Sequence, residues 1–413
     1  MDHKDRAILV GETHARPTLG IESPCIVLHE AYLHTDGGAS ARAFVGELCK
    51  ALHIPEPTVD SDHYILRSPG STLKWERHGE FSSWTRILTA TPKSADWQGS
   101  GPPPGERVSA ARIQIMQCPG TFEAQEGHEH AASLVSGGAA QLWTDLALRL
   151  DGFVGYMLET QFSGEAAMGA PRLGRLVRRI CEIETYRIFA LLAFPVARGV
   201  RTDLNRLDAI VSGAFNEGAG TDAQVLSILT DAAQEVERLL TATDFRFGAG
   251  AAYRNLVDAR IIELREVRIE GQQRLGKFLD RRFAPAMDTV ATTRGRLEAL
   301  ARRIERACAL LRTRVDLSLQ QQNQELLRSM DERAHLQLRL QETVEGFSIV
   351  AITYYAVMLL SKVLHGFFEP LAQRYHIPFG VVDGGLVLVI LAVVALSLRV
   401  MRAKLTKQER TSK

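Results

Sequence analysis

Apolar and polar positions follow three regimes along the chain. Up to about residue 165 the apolar runs are short and interrupted by turn residues. The run PCIVLHEAYLH (Pro24 to His34) predicts a strand, and SARAFVGELCKAL (Ser40 to Leu52) predicts a helix with Phe44, Leu48 and Leu52 on one face. Two β-prone runs in HYILRSPGSTLKWERH are divided by Ser68-Pro69-Gly70-Ser71, and EFSSWTRILTA continues as a third strand, so a meander is expected. Residues 95–107 read as a Pro/Gly loop. In QLWTDLALRLDGFVGYMLE, Asp151-Gly152 supplies the turn of a second hairpin.

From Pro171 the period lengthens. Leu173, Leu176, Val177, Ile180, Ile183 and Phe189 recur at three or four residues behind a proline suited to a first helical turn. More helix is expected beyond a break near Pro195 and a loop at GAFNEGAGTD, through EVERLL and AAYRNLVDARIIELREVRIEG. A further helix starts after Pro285 and meets only Gly295 before Gly346, which makes a rod of roughly 90 Å. Leu297, Leu300, Ile304, Ala307 and Leu311 give it a stripe for helix packing of coiled-coil type. Beyond Leu311 the stripe fades into a segment rich in Gln, Arg and Glu. A helix so polar needs partners, either preceding helices or copies of itself, and a homo-oligomer is expected.

The third regime is two uninterrupted apolar stretches, Gly346 to Leu364 and Val381 to Leu398, each long enough to cross roughly 30 Å of hydrocarbon. The lipid bilayer is therefore an expected partner. Arg399, Arg402, Lys404, Lys407, Arg410 and Lys413 follow the second stretch, whereas the segment between the two carries Arg374 opposed by Glu369, so both termini are expected on the cytoplasmic side. The beginning of the sequence lacks the apolar core of a signal peptide. Five scattered cysteines without a CxxC pair agree with a reducing compartment. A net charge of +1 is uninformative by itself, and the basic tail suits anionic headgroups, so no nucleic-acid partner is expected.

The fold expected is α+β. A mixed α/β cytoplasmic domain covers 1–165, a helical region 166–285 and a long stalk helix 286–345. Transmembrane helices at 346–364 and 381–398 flank a short extracytoplasmic loop at 365–380, and a basic cytoplasmic tail covers 399–413.

The strings ETHARP (Glu12 to Pro17), LKWERHGEF (Leu73 to Phe81), LWTDL (Leu142 to Leu146), EIETYR (Glu182 to Arg187) and MDERAHLQLRLQETVEGFSIVAITYY (Met330 to Tyr355) carry a resemblance over almost the whole chain. The chain resembles an uncharacterised bacterial family of predicted membrane-anchored proteins, a domain of unknown function. That resemblance implies an inner-membrane location and supplies no catalytic residues. In architecture the chain is also similar to CorA-type magnesium transporters, with a mixed cytoplasmic domain, a long stalk helix and two C-terminal spans. Their Gly-Met-Asn signature is missing, since the end of the first span reads Lys362-Val363-Leu364-His365-Gly366. Magnesium selectivity is thereby put in doubt, and an oligomeric ion channel or transporter is the function that the architecture suggests. The alternative is a membrane-anchored cytoplasmic module responsive to a ligand or metal.

Candidate chemistry falls in two places. In the first span Ser348, Tyr355 and Lys362 recur every seven residues and share a helix face, with Asp383 the carboxylate at the start of the second span. They read either as pore lining or as helix-packing groups, with Lys362 snorkelling to the boundary. In the soluble part the ligand candidates are His14, Arg16, Glu76, Arg77, His78 and Glu80. On a strand, Glu76 and His78 share one face and Arg77 the other. A Glu beside a His suits an ion or a proton, His14, Arg16 and Arg77 suit an anion, and the same charges suit a structural ion-pair network. Glu182 and Glu184, two apart on a helix, diverge by about 200° and are expected to pair with Arg178, Arg179 or Arg187. Nucleotide-binding, serine-hydrolase and zinc-protease signatures are absent, so no enzyme class and no cofactor follow from the sequence.

Overall fold

The computed structural model describes residues 3, 4, 6, 10, 17–58, 61–89, 101–117, 121–160, 168–215, 220–375, 380, 384–385, 387–393 and 395–396. It divides into two compact units, Met1–Leu311 and Arg312–Lys413.

The first unit is built on one nine-stranded sheet. Its strands are β1 (Cys25–Leu33), β2 (His63–Ser68), β3 (Ser71–Arg77), β4 (Phe81–Leu88), β5 (Glu106–Met116), β6 (Ala131–Val135), β7 (Ala140–Leu148), β8 (Val154–Thr160) and β9 (Val267–Arg268), in the order β2-β3-β4-β1-β5-β8-β7-β6-β9. All pairs are antiparallel except β5 with β8. The meander β2-β3-β4 and the hairpin β7-β8 stand where the turn residues predict them, with Gly152 in the left-handed conformation (φ 80°). Strand β5 begins at the end of the expected Pro/Gly loop of 95–107, and β6 lies in a segment to which the sequence pattern assigns no element. The short β9 interrupts what reads as helix: α4 (Asp222–Glu263) stops at its C-cap Leu264, and Arg268 then pairs with Ser133 on β6. Pairing to a free sheet edge outweighs local helical preference there.

Side-chain alternation gives the sheet two buried faces. On one, Tyr32, Trp75 and Trp84 receive Phe44, Val45 and Leu48 of α1 (Ala39–Ala51). Phe44 meets Trp84 edge-to-face at 5.5 Å, an arrangement worth about 0.5–1.5 kcal/mol beyond its area. On the other, Val27, Ile87, Ile113, Ile115, Leu142, Tyr156 and Leu158 are covered by α2 (Ala170–Leu191), with Val257 of α4 and Phe278 and Leu279 of α5 (Leu275–Arg282) joining the same core. Leu173, Leu176, Val177, Ile180 and Ile183 are the covering stripe of α2, the positions that the three-four spacing picks out.

Helices α3 (Ala193–Gly213), α4 and the first turns of α6 (Ala284–Tyr375) enclose a second core of Leu204, Leu207, Leu229, Val236, Leu297, Leu300 and Ile304. Among the described residues, burial of apolar side chains on α6 ends with Leu311, where the first unit ends.

In the second unit α6 is exposed along Leu319, Leu326, Met330, Leu336 and Leu340. The helix runs through Gly346 without a break, since one glycine costs a helix only about 1 kcal/mol. It also continues over residues 365–375, which the sequence assigns to a loop. The helix is long and apolar enough to cross a membrane, and its most apolar stretch is almost wholly exposed. Most of the second apolar stretch is helical where described.

Gly174 on α2 packs against the backbone of Leu19: a Cβ there would stand 1.8 Å from the Leu19 carbonyl oxygen. Gly174→Ala is expected to cost about 1–3 kcal/mol, as overpacking does. It should also free the Ile21 amide, which donates to Ala170 O at 3.1 Å. Urea titration and hydrogen exchange at Ile21 check both effects.

Candidate functional site

Polar residues occupy one region of the face that α2 covers. On β3, Lys74 and Glu76 point to this face while Trp75 and Arg77 point away, because strand side chains alternate. In register, Lys74 lies opposite Thr85 and Glu76 opposite Ser83 on β4, and Thr85 lies opposite His29 on β1. Above them α2 presents Val177, Arg178, Cys181, Glu182 and Thr185. Together these groups line a partly open cleft with a cavity of about 70 Å³, closed at one side by Leu19 and Ile21. A site of this size holds several waters or a compact ligand.

Its charges are paired, with Lys74, Glu76 and Glu182 largely out of solvent and Arg178 about a third exposed. Lys74 Nζ lies 2.9 Å from Glu76 Oε1 and donates to Pro17 O at 2.8 Å, with its side chain 5% exposed. Burial works to raise the Glu76 carboxyl, yet Lys74, and then His78 and Arg178, hold it below its usual value. On α2, Arg178 donates to Glu182 at 2.7 Å. The other Glu182 oxygen accepts from Arg260 of α4. Arg260 reaches Glu263 at 2.7 Å, and Glu263 accepts from Arg179 at 3.0 Å. This chain of five charges ties α2 to α4 beside the cleft.

His29 is wholly enclosed. Its ring nitrogens meet Thr85 Oγ1 at 2.8 Å and Thr185 Oγ1 at 3.0 Å. Burial lowers its pKa to about 4, opposed by Glu76, Glu182 and Glu184 and aided by Lys74, so the ring is neutral at pH 7. A second polar set lies deeper. Glu184 accepts from Tyr156 OH at 2.6 Å and from Arg187 Nη2 at 2.7 and 2.8 Å. Burial and then Glu184 push the Tyr156 hydroxyl far above its ordinary pKa.

The sequence-derived candidates separate. Glu76 and His78 line the cleft, with His78 stacked on Phe81 at 4.3 Å and bonded to Ser83 at 3.2 Å. Arg77 on the opposite face is held by Asp62 at 2.7 Å and Gly37 O at 2.9 Å. Glu80 receives both terminal nitrogens of Arg246, at 2.8 and 3.3 Å. His14, Arg16 and Asp383 lie outside the described residues. In the second unit Ser348 donates to Val344 O at 2.9 Å, Tyr355 is exposed with its ring against Tyr354 at 5.7 Å, and Lys362 is exposed. Glu182 takes Arg178 and Glu184 takes Arg187, as their spacing predicts. His29, Lys74, Arg178 and Thr185 are not singled out for the site by local sequence. The one local signal was a lysine alternating in phase with Glu76.

Cys25, Cys49 and Cys181 are buried free thiols, and burial raises the pKa of each. Among the described residues no group of three or more His, Cys, Asp or Glu side chains converges as a metal site. Residues 1–405 match the model of one family, described as a protein of unknown function (DUF3422). No curated protein and no solved structure matches the chain.

Two outcomes follow from the buried groups. Between about pH 6.5 and pH 4 the unfolded chain binds a proton at His29 that the folded one refuses, so stability falls as pH drops through that window, by up to about 3 kcal/mol from this group. His29→Gln should therefore show a shallower loss over the same range in urea titrations. Glu184→Ala strands the buried Arg187 and is expected to cost about 3–5 kcal/mol, seen as a fall in Tm.

Proposed function

The chain belongs to the family of proteins of unknown function (DUF3422), and from the site itself we propose that it is a membrane-anchored module that binds a compact zwitterionic metabolite in the cleft beneath α2. The observation that carries this reading is the set of two cations and two anions, Lys74, Arg178, Glu76 and Glu182, lining one cavity of about 70 Å³. Lys74 and Glu76 are buried, and buried charges cost several kcal/mol each in desolvation, so apolar residues of similar volume would pack that part of the space more cheaply. A ligand with a carboxylate and an ammonium group exchanges with both kinds of pair and leaves no charge alone. A metal ion is a poorer fit, because the cleft offers carboxylates already bound to cations.

The anchor in this proposal is a two-span hairpin at 346–364 and 381–398, with both termini in the cytoplasm of a bacterial inner membrane. It rests on the apolar length of the two stretches and on the basic residues after the second. A second reading, an oligomeric channel or transporter of CorA-like plan, is favoured by the apolar side chains exposed along α6 from Leu319 to Leu340, which suit packing between copies.

The test is thermal unfolding of the full chain in nanodiscs with free amino acids, betaines, singly charged analogues and divalent cations. A zwitterion at a hundredfold excess over its Kd should stabilise the first unit by about 2.7 kcal/mol. The double variant Lys74→Met with Glu76→Gln removes both charges without stranding either, and should fold and lose the shift. No shift with any zwitterion, or one that survives in the double variant, overturns the proposal. Ion flux from liposomes carrying the protein would support the channel reading instead.

A further inference from the structure

A second pocket, of about 250 Å³, opens beside the start of α2 and is lined by Ser136, Arg172, Arg175, Arg179, Glu263 and Arg265. The three arginines of α2 are spaced by three and four residues and so share a helix face. Arg265 comes from the turn after α4 and Ser136 from the turn after β6. Four guanidinium groups thus meet one carboxylate. That carboxylate is already taken, since Glu263 accepts from Arg179 at 3.0 Å and from Arg260 at 2.7 Å. Arg172 is fixed by a bond to Ser136 O at 2.8 Å. Among the described residues no carboxylate pairs with Arg175 or Arg265, and both are exposed.

The backbone supplies an independent observation. Ser136 and Arg265 both have left-handed φ angles, 55° and 51°, which non-glycine residues rarely adopt. The two strained residues are joined, because the Ser136 amide donates to Leu264 O at 2.8 Å. Strain of this kind persists where the surroundings enforce it, and it collects at binding sites. Here it sets the Arg265 side chain beside the arginine face of α2, against like-charge repulsion that an anion would relieve.

We propose that this pocket binds an anionic phosphate group, held by the forked donors of Arg175 and Arg265 with Arg172 and Arg179 at its sides. Guanidinium forks match phosphate oxygens two at a time, which a scatter of surface lysines does not. The site is separate from the cleft and does not rest on the cleft's occupancy. Its ligand is either a soluble phosphate or the headgroup of an anionic lipid, which share this chemistry.

The full chain in phosphatidylcholine nanodiscs, titrated with inorganic phosphate and pyrophosphate at constant ionic strength, distinguishes them by its thermal midpoint. A saturable rise supports a soluble phosphate. A rise on replacing part of the phosphatidylcholine by phosphatidylglycerol, with no added phosphate, supports the headgroup. In either case Arg175→Ala should weaken binding at least tenfold. Arg265→Gly should do the same while leaving the unliganded midpoint no lower, because glycine accepts the left-handed turn. No rise in any arm, or a rise that both variants retain, overturns the proposal.

Discussion

Helix α2 has to cover two chemically different parts of one sheet face, and that constraint organises the first unit. Over β5, β8 and β7 it meets Ile113, Leu158 and Leu142, and it answers with Leu173, Leu176, Ile180 and Ile183. Over β3, β4 and β1 it meets Lys74, Glu76, Ser83, Thr85 and His29, and it answers with Arg178, Glu182 and Thr185. The apolar part supplies the driving force, at about 25 cal/mol for each Å² removed from water. The polar part holds charges out of water that gain little stability by being there. A helix bound only by apolar contacts would not need them, and this makes the polar part the place to look for function.

The reach of sequence reasoning follows the range of the interactions involved. Local signals sufficed for β1, the meander, the β7-β8 hairpin and α2, since turn residues and apolar spacing act over a few positions. The same alternation placed Glu76 and His78 together and Arg77 apart. It could not supply His29, whose partners Thr85 and Thr185 lie 56 and 156 residues away. Nor could it supply the link from Glu182 to Arg260, 78 residues distant. β9 was hidden for a related reason, because its two residues become a strand only by meeting the edge of β6. Residues 365–375 mislead in the opposite sense: Gly366 and Pro370 suggest a loop, and the helix continues through them to Tyr375.

The charge chain from Arg178 through Glu182, Arg260 and Glu263 to Arg179 gives α2 and α4 a shared polar seam. Pairs that are a quarter to two-fifths exposed, as Arg179 with Glu263 and Arg260 with Glu263 are, add little stability singly. Their consequence is positional, since bonds at both ends of each carboxylate fix which way Arg178 and Arg179 face. The second unit follows a different logic. Its long helix buries almost nothing of its own, and the apolar surface along it calls for lipid or protein around it.

Native mass spectrometry of the full chain, released from nanodiscs prepared without added ligand, tests the central claim most directly. A cleft built for a compact zwitterion predicts a mass above that of the polypeptide by one small molecule. The excess should vanish in the protein that carries Met at 74 and Gln at 76. Equal bound mass in the two proteins, or the bare polypeptide mass in both after saturation with zwitterions, would contradict it.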